Sequence, residues 1–107
     1  EFISYDNLIY RVSLKKLPEN IHEFRGNCGY FYEYNVSDID KICHAINNKY
    51  QTLTYFGLEQ SFLVDFVIRN KLHGVDRIVP IGKALDIDLV WDGFDIVSSL
   101  SRLINCS

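Results

Sequence analysis

No basic excess marks this chain. Its 107 residues carry 11 Lys and Arg against 14 Asp and Glu, a formal net charge of −3. The cations are scattered rather than striped, so neither nucleic acid nor an anionic membrane surface is an expected partner. No apolar run approaches the roughly 20 residues that a spanning helix needs, and no charged segment followed by an apolar one signals secretion. A Cys-x-x-Cys pair is absent too. The three cysteines, Cys28, Cys43 and Cys106, are odd in number, which points to reduced thiols in a cytoplasmic protein rather than a disulfide framework. The chain starts at Glu1 rather than Met, and is read as a fragment or processed product whose parent holds chemistry of its own elsewhere.

What the chain does have is apolar surface. With 48% hydrophobic residues and 14% aromatics it can bury one small core, and the expected organisation is a single α/β unit over residues 1–107. Residues 8–14 alternate, with Leu8, Tyr10, Val12 and Leu14 opposing Ile9, Arg11 and Ser13, the period of a half-buried strand. A polar connection with Pro18 and Gly26 follows. Residues 30–36 then alternate again, Tyr30, Tyr32, Tyr34 and Val36 against Phe31, Glu33 and Asn35. Ser37 and Asp40 suit the start of a helix whose Ile39, Ile42, Cys43 and Ile46 form one stripe, ending at Asn47-Asn48.

Residues 52–56 read as a short strand closed by Gly57. From Leu58 onward Phe62, Leu63, Phe66, Val67 and Ile68 almost encircle a helix that stops at His73-Gly74. A helix so apolar is expected to pack on two sides, its second face against another subunit or a missing domain. Residues 77–81 form a buried strand whose pairing fails on one side at Pro80. Residues 94–104 form a last helix, with Val97, Leu100, Leu103 and Ile104 on its stripe. This order predicts a mostly parallel sheet with right-handed βαβαβ crossovers and helices on its faces.

A loop leaving a buried strand is where α/β proteins keep their sites. Here the apolar run 78–81 breaks at Gly82 into a loop with Asp86, Asp88, Asp92 and Asp95. The spacing fails as a calcium loop, since Val90 stands where a third oxygen ligand is needed and no Glu follows at the right distance. No metal is therefore expected, and the carboxylates suit the start of the last helix. Trp91, beside Asp92 and Gly93, reads either as a ligand-facing aromatic or as a ring packed between loop and helix. Arg25 sits in a loop beside Gly26 and Asn27, where a guanidinium can grip a phosphate bidentately, although a surface salt bridge is the commoner fate. Cys28 has small neighbours but no His spaced to activate it, and Cys43 is assigned to the core, so both read as structural. His22, His44 and His73 read as structural as well. Gly26-x-x-Gly29 precedes a strand and lacks the third glycine of a dinucleotide fingerprint.

Four stretches carry a family resemblance: residues 24–27 (Phe-Arg-Gly-Asn), 51–57 (Gln-Thr-Leu-Thr-Tyr-Phe-Gly), 74–84 (Gly-Val-Asp-Arg-Ile-Val-Pro-Ile-Gly-Lys-Ala) and 91–93 (Trp-Asp-Gly), with Leu100-Ser101-Arg102 after them. Together they resemble the C-terminal end of the bacterial LuxC-type acyl-CoA reductases of the aldehyde dehydrogenase superfamily. The resemblance implies a parent enzyme that binds acyl-CoA or a related thioester, takes the acyl group on a cysteine and releases a fatty aldehyde with hydride from NADPH. It places that cysteine and the dinucleotide-binding domain upstream of Glu1, so this chain is expected to hold no catalytic residue and to be inactive alone. It points to Arg25, Gly82, Trp91 and Asp92 as contacts to cofactor or substrate, with Arg25 facing a phosphate of NADPH or CoA. It also implies the fold of the second half of an aldehyde dehydrogenase catalytic domain, and a homo-oligomer or contact with the missing domains. The competing reading is a stand-alone α/β protein-interaction module, in which the apolar helix from Leu58 buries its second face within the chain itself.

Overall fold

The computed structural model describes every residue except Arg25 and Asn27. Two strands open the chain. β1 (Phe2–Tyr5) and β2 (Ile9–Ser13) pair antiparallel around a turn in which Asp6 adopts φ 50°. β3 (Tyr30–Glu33) then lies parallel to β2, giving the order β1-β2-β3. Alternation assigns each residue a face. Phe2, Tyr10 and Tyr30 stack in sequence on one side, with ring centroids 6.0 and 4.5 Å apart. On the other side Arg11 grips Glu33 bidentately, Nε to Oε1 at 2.5 Å and Nη2 to Oε2 at 2.9 Å.

Between β3 and the next strand the chain winds as a 3-10 helix over Ile39–Ala45. Asp38 caps it, its Oδ1 accepting from the Asp40 amide at 3.0 Å, while Ser37 instead accepts from the Lys41 ammonium at 2.8 Å. The β-branched Ile39 and Ile42, with Cys43 and His44 among them, supply little α-helix propensity to relax the tighter winding.

β4 (Thr52–Tyr55), α1 (Gln60–Arg69) and β5 (Arg77–Pro80) form a βαβ unit, with β4 and β5 parallel in the register Thr52–Arg77 to Tyr55–Pro80. Its helix supplies the most buried side chains, Leu63 and Phe66, beside Ala45 from the 3-10 helix. Asp40 ties the two helices together, accepting from Arg69 Nη2 at 2.7 Å and Asn70 Nδ2 at 2.9 Å. Where the chain returns toward β5, Gly74 has φ 97° and lies so near residues 47–48 that a Cβ would strike the Asn47 carbonyl oxygen and approach the Asn48 Cα to 2.6 Å. Only glycine fits there.

β6 (Val90–Trp91) and β7 (Phe94–Asp95) make a two-residue hairpin, followed by α2 (Ile96–Leu100), which Asp95 caps by accepting from the Ser98 amide at 3.1 Å. Asp92 and Gly93 both have positive φ, 50° and 79°. That is the geometry of a type I′ turn, for which Asp-Gly is a preferred pair.

The expected mostly parallel sheet with successive βαβαβ crossovers is therefore not formed, nor is the implied second half of an aldehyde dehydrogenase catalytic domain. The strands divide among a mixed three-stranded sheet, a parallel pair and an antiparallel hairpin. Alternation tells which side of a strand is apolar, but not which strand lies beside it or in which direction. The link from β2 to β3 holds a 3-10 turn at Ile21–Glu23, and the expected last helix is cut to α2, losing Phe94 and Asp95 to the hairpin and residues 101–104 at its other end.

The molecule is extended, 66 × 32 × 26 Å with a radius of gyration of 17.5 Å, against about 13 Å for a compact domain of this length. Its accessible surface is 8914 Å², against roughly 6,200 Å² for a compact monomer of this mass. Much apolar surface is thus uncovered. Among the described residues no helix is long and apolar enough to cross a membrane.

Candidate functional site

The loop after β5 is organised by one side chain. Arg77 opens β5, and its guanidinium turns toward the chain that follows the strand. Nη1 donates to the Ala84 carbonyl at 2.8 Å, and Nη2 to the Asp86 carbonyl at 2.9 Å with a longer approach to that of Lys83 at 3.5 Å. The same group lies over the Trp91 ring, 4.5 Å from its centroid. Five N–H donors in a planar fork can satisfy several loop carbonyls while the flat face stacks on an indole, a combination that lysine cannot reproduce. Arg77 thus joins the end of β5, the loop and the hairpin.

Around it, Lys83 pairs with Asp86 at 3.0 Å, and the Asp76 carboxylate stands where a Cβ on Gly93 would come within 3.1 Å. Gly82 begins the loop with φ 91° and open space on its Cα. The structure therefore brings Gly82, Trp91 and Asp92 to one loop-and-hairpin unit. Trp91 is half-buried with the Arg77 guanidinium against its ring, and Asp92 is the first corner of the I′ turn. Arg25 lies outside the described residues. Sequence reading missed Arg77, treating it as the first residue of a buried strand. An arginine leading an apolar run was the available signal, because a half-buried guanidinium needs several acceptors and the carbonyls of a following loop are within reach.

Asp86, Asp88, Asp92 and Asp95 do not converge. Asp86 faces Lys83, Asp88 accepts from the Leu89 amide at 2.6 Å, and Asp95 caps α2, whose hydrogen bonds from Ser98 hold its carboxyl below the usual carboxylate range. Among the described residues no group of three or more His, Cys, Asp and Glu side chains is gathered closely enough to hold a metal ion.

Two concavities lie elsewhere in the chain. One of about 320 Å³ is lined almost wholly by apolar groups, including Leu17, Ile21, Ile42, Ala45, Leu53 and Tyr50, whose phenol burial pushes upward in pKa. A second, of about 430 Å³, shares Leu17 and Ile21 and adds Lys16, Phe24 and His44. Neither includes Gly82, Trp91 or Asp92. Cys43 is half-buried, and desolvation followed by the charge of Asp40 raises its thiol pKa, the opposite of what an activated nucleophile requires. His22 belongs to a polar cluster with Asn47 and Lys49, its ring nitrogens at 3.2 and 2.9 Å from their side-chain nitrogens.

The arrangement around Arg77 does not fit the phosphates of a dinucleotide. The guanidinium is occupied by carbonyls, Lys83 is paired, and the nearby carboxylates repel an anion. In comparisons with known proteins no family model matches the chain, and neither a curated protein nor a solved structure matches it.

Proposed function

We propose that this chain is the C-terminal part of a cytoplasmic acyl-CoA reductase, an enzyme that reduces a fatty acyl thioester to an aldehyde with NADPH through an acyl-cysteine formed upstream of Glu1. The reading rests on the sequence stretches 74–84 and 91–93 and on one structural observation, the second face of α1. Leu63 and Phe66 turn inward, but Val64 and Ile68, one turn apart, are exposed, Ile68 by 68%, as are Leu58 ahead of the helix and Phe62 across the polar strip of Ser61, Asp65 and Arg69. A self-contained interaction module buries that face within its own chain. A segment of a larger enzyme leaves it for the remainder of the subunit or for a second subunit, and the excess surface of the whole chain agrees with this.

The lining of the 320 Å³ concavity suits hydrocarbon rather than a charged group, in keeping with an acyl substrate. Gly82, Trp91 and Asp92 stand as contacts for the acyl thioester in the intact enzyme. NADPH belongs to parts of the enzyme other than the Arg77 cluster. Arg25 is proposed to face a phosphate of NADPH or CoA. An Arg25→Ala variant of the full-length protein with unchanged KM for both would refute that contact.

The test of the whole reading is acyl-CoA-dependent NADPH oxidation by the protein of the complete reading frame, with this chain assayed beside it. Activity in the first and none in the second supports the proposal. Inactivity of the complete protein with fatty acyl thioesters of short, medium and long chain would sink it.

A further inference from the structure

The segment from Ala84 to Trp91 runs outside the βαβ unit with little packing of its own. Leu85 and Ile87 are 89% and 86% exposed and Leu89 also faces solvent, so of the large apolar side chains of this stretch only Trp91, under the Arg77 guanidinium, is half-buried. The Lys83–Asp86 ion pair and the bond from the Asp86 amide to the Lys83 carbonyl at 3.2 Å are internal to the loop. Beyond the exit turn, where the Lys83 amide donates to the Pro80 carbonyl at 3.0 Å, the polar and ring contacts that tie this stretch to β5 among the described residues all belong to one group, while at its far end the Leu89 carbonyl accepts from the Ile96 amide at 2.9 Å and β6 pairs with β7. The contacts to β5 are the Arg77 bonds to Ala84 and Asp86 and its stacking on Trp91.

We infer that residues 84–91 form a strap latched by Arg77, which opens and closes as one unit as the guanidinium releases both loop carbonyls and the Trp91 ring. A segment held to its neighbour by a few hydrogen bonds and one ring contact, none of them fully buried, opens far more readily than the element it is attached to. Because three separate points of the strap share one guanidinium, partial release gains little, and opening is concerted. The ends are suited to this motion. Gly82 already holds a positive φ with open space around it, and Gly93 turns the hairpin at the far end. In the open state the guanidinium and one face of the indole become free at the same place, so the latch gates those groups. This does not depend on the acyl-CoA reductase reading.

Trp91 is the single tryptophan of the chain, so its emission reports the latch directly. The experiment compares the unmodified 107-residue chain with Arg77→Lys and Lys83→Ala, by acrylamide quenching of Trp91 and by NMR relaxation dispersion of the backbone amides. In Arg77→Lys the charge remains but the fork is lost, and the open population is expected to rise at least about tenfold, with faster quenching and unchanged amide signals in β4 and α1. Lys83→Ala removes only an internal ion pair and leaves the strap closed. In the unmodified chain, amides 84–91 are expected to share one exchange rate that β4, α1 and β5 lack, a readout that stands even where Arg77→Lys fails to fold. The inference is overturned by unequal or absent exchange across 84–91, by quenching in Arg77→Lys equal to that of the unmodified chain, or by Lys83→Ala opening the strap as readily as Arg77→Lys.

Discussion

The three-stranded sheet and the βαβ unit spend their apolar residues differently. In the sheet, Phe2, Tyr10 and Tyr30 stack on one another while Phe2 and Tyr30 stay exposed, and the far face is held by the Arg11–Glu33 pair. In the βαβ unit, α1 inserts Leu63 and Phe66 completely. A ladder of rings on an open sheet loses little when one ring goes, because water already reaches its neighbours. A ring enclosed by a helix and a sheet leaves a cavity. The difference teaches where the chain's stability resides, and it places the Arg77 loop on the firmer of the two regions.

The sharpest way to break the comparison is to empty the enclosed site. Phe66→Ala is expected to cost about 3–5 kcal/mol and to unfold the chain or lower its denaturation midpoint steeply in urea. Gly74→Ala comes next, at about 3 kcal/mol, because the new methyl meets the Asn47 carbonyl while the backbone is held at positive φ. Its expected signature is loss of helical circular dichroism together with the core. Arg77→Met, which removes hydrogen bonds from a charged donor as well as the indole contact, is expected to cost about 2 kcal/mol, with a red shift of the Trp91 emission. In the sheet, Tyr10→Leu should cost only about 1 kcal/mol, the scale of an aromatic pair. A Tyr10→Leu loss equal to that of Phe66→Ala would erase the distinction between the two regions.

The smallest effect is in acid. Hydrogen bonds from Arg11 lower the pKa of Glu33, and those from Arg69 and Asn70 lower that of Asp40. The unfolded chain therefore takes up these protons at higher pH than the folded one. Their contribution to stability is complete above about pH 4.5 and fades as the pH falls through the lower folded values. Both groups are solvent-accessible, so the effect is modest and weakens with salt. Glu33→Gln and Asp40→Asn chains should lose less stability than the unmodified chain between pH 4.5 and pH 2. A steeper acid loss in either variant would contradict the assignment.

Much of the local structure was legible in the sequence. The alternation of residues 8–14 and 30–36, the short strand 52–56, the apolar helix after Leu58 and the strand at Arg77 all appear within a few residues of their expected bounds, because each rests on a periodicity that local packing enforces. Two things were not legible. β1 carries only four residues of pattern, too short to separate from a disordered end. The pairing of strands depends on contacts between distant segments, and alternation is silent about them. The Asp92-Gly93 turn did carry a local signal, an Asp-Gly pair between apolar residues, but its likeness to a ligand-binding loop drew attention away from the hairpin. Of the candidate site, Gly82, Trp91 and Asp92 do share one unit, whereas its organising residue, Arg77, shows its role only once the loop carbonyls are in place.

The proposed function requires the outer face of α1 to be covered in the intact protein. Ile68→Cys tests it, with maleimide labelling followed by peptide mapping to separate the new thiol from Cys28, Cys43 and Cys106. Rapid labelling at position 68 is expected in the isolated chain, and strong protection in the protein of the complete reading frame. Equally rapid labelling in both would show that nothing covers this face and would contradict the claim.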